Sequence, residues 1–216
     1  LPFIEVENKQ NHRVGLWKIT ETVSELMELF QDAPVLGSLH NSRNLQSLAS
    51  RLTLMRLMDL PLLEFIKTAE GKPFIVGRNE EISLSHSGIF AAAIVSKNGS
   101  TGIDIERMDE RIFKIAHKFV REEERDQMKE RDMLGHYLIW NAKESLFKHY
   151  GAGAVDFRKH LKIDLSTKSA GYILATIQKP DYRAAMRMKF LILEDEYLLT
   201  WIDHETPIEL YATATQ

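Results

Sequence analysis

Apolar residues along the chain recur with two periods, and the periods divide it into elements. From Asp132 through Tyr150 the spacing is helical. Met133, Leu134, Tyr137, Leu138, Trp140, Leu146, Phe147 and Tyr150 cover one broad face of about five turns. No Gly or Pro falls within Trp140–Lys148, and Gly151 and Gly153 stand just past the end of the helical run. A second helical stripe comes from Leu45, Leu48, Leu52, Met55 and Met58, with Arg43, Arg51 and Arg56 as basic interruptions. A shorter one carries Leu26, Leu29 and Phe30 after a cap at Thr20 or Thr22, and ends at Asp32-Ala33-Pro34. Asp109 to Phe119 is amphipathic, and Arg121 to Arg131 is a heavily charged, solvated stretch.

Period-two runs lie elsewhere. Val14 to Ile19, Ile82 to Gly88, Phe90 to Val95 and Gly102 to Glu106 read as strands. The Asn98-Gly99 turn predicts that the last three form one meander. Beyond Gly153, strands are expected at Leu161–Leu165, Tyr172–Ile177, Met186–Leu193 and Tyr197–Ile202, with Ile208 to Tyr211 as an edge. Helices plus a small sheet in each half predict two similar α/β lobes.

Composition changes this picture little. The 216 residues are 44% hydrophobic and 27% charged, which suits a globular protein with a real core. A formal net charge of −3 gives no sign of a nucleic-acid binder. The absence of cysteine excludes disulfides and thiolate metal sites. No apolar run approaches a membrane span and no signal-peptide pattern opens the chain, so cytoplasm is the expected location and no membrane partner is expected.

The chemistry is concentrated in two stretches. On the long helix Glu144 and Lys148 are four apart and share a side. Alone, such a pair is a surface ion pair worth about 0.2–0.5 kcal/mol. In Thr101-Gly102-Ile103-Asp104-Ile105-Glu106 the acids alternate with isoleucines, so Asp104 and Glu106 share one strand face. Adjacent carboxylates repel unless a cation or proton intervenes. That suggests a divalent metal with Glu144 as third ligand. His86, between two serines at a strand end, is a candidate anion contact, and Lys72 in the Gly71-Lys72-Pro73 turn could reach a phosphate.

Gly71-Lys72-Pro73, Ser85-His86-Ser87, Gly102-Ile103-Asp104-Ile105-Glu106 and Trp140-x-x-Lys143-Glu144-x-x-x-Lys148 occur here in the order and approximate spacing found in 4′-phosphopantetheinyl transferases. The chain resembles the larger, two-lobed Sfp type, which is monomeric, rather than the short trimeric type. That resemblance implies an α+β fold of two pseudo-symmetric α/β lobes, residues 1–99 and 100–216, each a small mostly antiparallel sheet packed with helices, with coenzyme A bound between them. It implies Asp104, Glu106 and Glu144 as Mg²⁺ ligands, with Mn²⁺ as a substitute, and Lys148 beside the reacting phosphate. Ser85, His86 and Lys72 would contact coenzyme A phosphates, and Glu124 falls where the family has an acid near the metal. Where the family carries an arginine that grips coenzyme A, this chain has Gln46, so Arg43 or Arg51 would supply that contact.

The activity implied is transfer of 4′-phosphopantetheine from coenzyme A to a serine of an acyl or peptidyl carrier protein, releasing 3′,5′-ADP. Glu144 is the expected base and Lys148 an electrostatic clamp, since a lysine base needs a strongly lowered pKa. Residues Ile112 to Phe119 are candidates for carrier contact. Two rivals would use the same residues: a Mg²⁺-dependent phosphohydrolase acting on a diphosphate ester, and a non-catalytic coenzyme A-binding protein.

Overall fold

The computed structural model describes residues 2–29, 42–60 and 65–210, without the side chains of 42–44 and 65. In chain order come strands β1 (Phe3–Asn8) and β2 (His12–Lys18), helices α1 (Val23–Glu28) and α2 (Ser42–Met58), and the small hairpin β3 (Phe65–Lys67) and β4 (Pro73–Ile75). Strands β5 (Glu81–Ser87), β6 (Phe90–Ser96) and β7 (Ile103–Arg107) follow, then helices α3 (Arg111–Ile115), α4 (Glu122–Arg125), α5 (Met133–Tyr150) and α6 (Phe157–His160). The chain continues through β8 (Leu161–Asp164), β9 (Tyr172–Gln178), β10 (Arg183–Leu193), β11 (Tyr197–Ile202) and β12 (Glu209–Leu210).

Besides the β3-β4 hairpin, the described residues form two larger antiparallel sheets. One runs β1-β2-β6-β5, the other β7-β11-β10-β9-β8 with β12 on β10. The expected β5-β6-β7 meander does not form. β6 already has β2 and β5 on its two edges, so β7 leaves to pair with β11. The Asn98-Gly99 turn therefore carries the chain from one sheet into the other.

The layers explain the hydrophobic runs. Val14, Leu16, Phe90, Ala92 and Ile94 of the first sheet meet Ile103, Ile105, Tyr197, Leu199 and Trp201 of the second. The opposite face of the first sheet, including Trp17, Ala91 and Ala93, packs on Leu48, Leu52 and Leu57 of α2. The opposite face of the second, including Ile173, Ala175 and Leu198, packs on Leu138, Ala142 and Leu146 of α5. β6 and β11 are thus covered on both faces and buried at every position. Such strands read as continuous apolar runs rather than alternating ones.

Thr22 caps α1 in a capping box with Glu25. Leu26 is buried there, but Leu29, expected on the same face, is 40% exposed as the C-cap residue. Phe30, the expected stop at Asp32 to Pro34, and Pro61 to Glu64 lie outside the described residues. Among those described, no helix is long and apolar enough to cross a membrane.

Candidate active site

Helix α5 begins at an Asp132 side chain that accepts from the Gly135 amide and ends at Gly151 in the left-handed conformation. Two adjacent rows of its residues, each with a period of four, do different jobs. Asn141, Ser145 and His149 form a buried polar row. Asn141 Nδ2 donates to the Leu198 carbonyl (2.7 Å), and Ser145 Oγ bonds Thr200 Oγ1 (3.0 Å). His149 Nδ1–H donates to the Ser100 carbonyl (2.8 Å), so Nε2 accepts from the Tyr182 hydroxyl (3.0 Å). These bonds fix the rotation and register of α5 on the second sheet. The neighbouring row, Trp140, Glu144 and Lys148, is thereby aimed at β7.

The approach is close. Gly102 stands just before β7, and a Cβ there would lie 1.9 Å from the Ser145 carbonyl oxygen. Only glycine lets helix and strand meet at this point.

On β7 the isoleucines enter the core between the sheets, and Asp104 and Glu106 take the other face. Lys148 Nζ donates to Asp104 Oδ1 (2.8 Å) and to the Ile103 carbonyl (2.9 Å). Ser85 Oγ donates to the same Asp104 Oδ1 (2.8 Å), and Ser87 Oγ donates to Glu106 Oε2 (3.1 Å). Burial and then the Asp104 charge push Glu106 up to about 7, against the Ser87 hydroxyl, Lys148 and the Trp140 indole. Glu144 is likewise pushed up to about 7, by burial and then by Asp104, with Lys148 opposing and Glu106 adding. His86 is lowered by loss of water around its ring and then by Lys148, with Asp104 pulling the other way.

Three carboxylates therefore crowd one region with Lys148 as the cation on Asp104. Among the described residues no group of three or more histidine, cysteine or acidic side chains is placed to hold a metal ion. The donor set nevertheless fits a hard divalent cation: it is all oxygen, it carries mutually repelling charge, and Asp104 Oδ2 is buried with no hydrogen-bond partner.

Lys148 and Ser85 also line a cleft of about 580 Å³. Its walls include Arg51, Lys67, Lys72, His86 and Phe147. Lys72 Nζ donates to Ser100 Oγ (2.8 Å) and pairs with Glu81 (2.5 Å). Burial lowers the Arg51 guanidinium from its ordinary value. Lys72, Ser85, His86, Lys148 and Arg51 thus share one cleft, whereas the Arg43 side chain lies outside the described residues.

One expectation needs correction. Glu124 is not in the acidic group. It is fully buried behind α5, accepts from Lys143 Nζ (2.8 Å) and from the amides of Arg121 and Ile163 (both 2.8 Å). It anchors α4 and β8 to α5. Gln46 reaches the Gly88 carbonyl (2.7 Å) and ties α2 to the turn after the Ser85-His86-Ser87 run. Of the apolar candidates for carrier contact, Ile112 and Phe119 belong to the core, and Ile115 is 36% exposed.

Sequence reasoning missed Trp140 and Ser87 as neighbours of Glu106. For Trp140 the signal was present, four residues before Glu144. For Ser87 it was not, because its contact depends on which strand lies beside β5.

Residues 100–202 match the family model described as the 4′-phosphopantetheinyl transferase superfamily. The chain is 32% identical over 133 residues to the 4′-phosphopantetheinyl transferase AcpT of Salmonella typhi, covering 57% of this chain and 67% of that one. It is 28% identical over 157 residues to the 4′-phosphopantetheinyl transferase Gsp of Aneurinibacillus migulanus, covering 70% of this chain and 65% of that one.

Proposed function

The chain belongs to the 4′-phosphopantetheinyl transferase superfamily and is an enzyme of that kind; from this premise we propose that it uses coenzyme A and a divalent cation, Mg²⁺ or Mn²⁺, to activate an acyl or peptidyl carrier protein. The carrier serine oxygen attacks the phosphorus nearer the pantetheine. A new serine O–P bond forms, the bond to the bridging oxygen breaks, and 3′,5′-ADP leaves. Such reactions depend mainly on positioning and charge neutralisation.

The observation that carries this reading is that Lys148 and Ser85 belong both to the cationic cleft and to the acidic group. Arg51, Lys72 and His86 would hold the phosphates and adenylate portion along the cleft. Asp104, Glu106 and Glu144 would hold the cation, which when bound neutralises charge building on the bridging oxygen. Lys148, already donating to two acceptors, acts as an ammonium clamp that turns toward the phosphates. Glu144 takes the serine proton, directly or through a water. The reading includes a monomer acting in the cytoplasm, with the active site between lobes of residues 1–99 and 100–216.

Intact-protein mass spectrometry tests it. Apo carrier proteins are incubated with the enzyme, coenzyme A and Mg²⁺, beside a Glu144→Ala control. A gain of one phosphopantetheine, absent in the control, is expected. Free phosphopantetheine with no carrier present would indicate a hydrolase instead. In the same assay Lys148→Arg retains most activity if Lys148 is a clamp. Near-total loss with coenzyme A still bound would make it the base.

A further inference from the structure

β5 and β7 are each the last strand of their own sheet and share no backbone ladder. An edge strand presents a row of unpaired amides, which must find partners when buried. Here three serines on β5 provide them. Ser83 Oγ accepts from the Ile103 amide (3.3 Å), Ser85 Oγ from Ile105 (3.2 Å) and Ser87 Oγ from Arg107 (3.1 Å). The offset is constant at 20 residues, so the strands run side by side in the same direction.

An amide can only donate, so each of these hydroxyls is used as an acceptor on that side. Its single proton is left to point elsewhere. For Ser85 that is Asp104 Oδ1, and for Ser87 it is Glu106 Oε2. Beside Ser83 the matching position is Gly102, which has no side chain to receive a proton. The three serines therefore make the same seam contact, but only two continue to a carboxylate.

We propose that Ser87, with Ser85, is a positioning residue that turns the seam between the two sheets into the alignment of the metal-binding carboxylates, Ser87 orienting Glu106 and Ser85 orienting Asp104. A carboxylate held by a hydroxyl whose own direction is locked by an amide loses little freedom when it binds a cation. Partners of this kind typically change metal affinity by about 10–100-fold. Ser83 serves the seam alone. The proposal rests on the reading of Asp104, Glu106 and Glu144 as cation ligands.

Mn²⁺ alone is the probe, with free ion followed by electron paramagnetic resonance and unfolding midpoints measured on the same proteins. Ser87→Ala is expected to weaken Mn²⁺ binding by about 10-fold or more. Ser83→Ala is expected to lower the midpoint by a similar amount and change Mn²⁺ binding by less than about twofold. Should Ser87→Ala not fold, Ser87→Thr and Ser87→Val make the comparison with matched shapes: threonine keeps the affinity and valine loses it. Equal affinity losses in the Ser83 and Ser87 variants, or unchanged binding in Ser87→Ala, would overturn the proposal and leave the cation reading standing. No Mn²⁺ binding by the unaltered enzyme would remove both.

Discussion

Lys143 and Lys148 lie five residues apart on one helix and have opposite consequences. Lys143 is fully buried. Its ammonium donates to Glu124 Oε2 (2.8 Å) and to the Phe119 carbonyl (2.6 Å), and burial lowers it to about 8 while Glu124 opposes. Removing one partner of such a pair leaves a charge buried without compensation, at a cost of about 3–5 kcal/mol. Lys143→Met should therefore shift the urea midpoint strongly and leave turnover per folded molecule nearly unchanged. Lys148 is partly exposed at the cleft, so Lys148→Ala should do the reverse: a small change in midpoint and a loss of roughly 100-fold or more in transfer rate. If both variants lose only stability, Lys148 has no part in the reaction. The Trp-x-x-Lys-Glu-x-x-x-Lys run made both lysines visible in the sequence. It could not tell them apart, because a side chain that enters the core and one that enters a cleft can be chemically identical.

At the scale of elements the decisive contact is α5 against β7. The polar row Asn141, Ser145 and His149 bonds the helix to β11 and Ser100, and Gly102 lets the backbones touch. The tight approach leaves no room for a methyl group, and the atom it would strike is backbone. Gly102→Ala should therefore cost several times the ~1 kcal/mol of an ordinary glycine effect and lower both midpoint and activity, since helix and strand must separate. A variant with unchanged midpoint would show that the approach is looser than described. The helix itself was legible, down to its Gly151 cap, because a long amphipathic run with clear ends carries its own signal. The β7 pairing was not. Asn98-Gly99 has the chemistry of a hairpin turn, and local chemistry cannot report that both edges of β6 are already occupied by β2 and β5.

At the scale of the molecule, charges in different places give opposite pH dependences. Glu7 on β1 receives hydrogen bonds from His12, Lys189 and the Trp201 indole, joining the first sheet to the second. Burial alone would raise its pKa, but those bonds hold it at about 2. Its contribution to stability is present above pH 4.5 and is lost as pH falls through about 2. Glu106 and Glu144 behave oppositely. Their folded values near 7 lie above the ordinary 4.5, so the folded state holds extra protons and stability is lost as pH rises between those values. The midpoint of the metal-free protein should fall between about pH 5 and about pH 8, and Mg²⁺ should raise it more at the higher pH, where the carboxylates are ionised. Scanning calorimetry with and without a chelator checks this. A Mg²⁺ effect equal at both pH values would count against carboxylate ligation.

The sequence by itself determined the two long helices and the Gly151 end of α5, the strands of the second half, the absence of thiol chemistry and the identity of the chemical groups, because periodicity, turn residues and motif order are local properties of the chain. It also carried the family resemblance, since four short motifs in order are a one-dimensional pattern. Only the tertiary structure decided that β7 leaves its sequence neighbour for β11, that Glu124 serves Lys143 rather than the acidic group, and that Ser83, Ser85 and Ser87 join two sheet edges. Each of these depends on which segment, distant in sequence, fills a given edge or face. That is settled by competition for burial and for hydrogen-bond partners across the whole molecule.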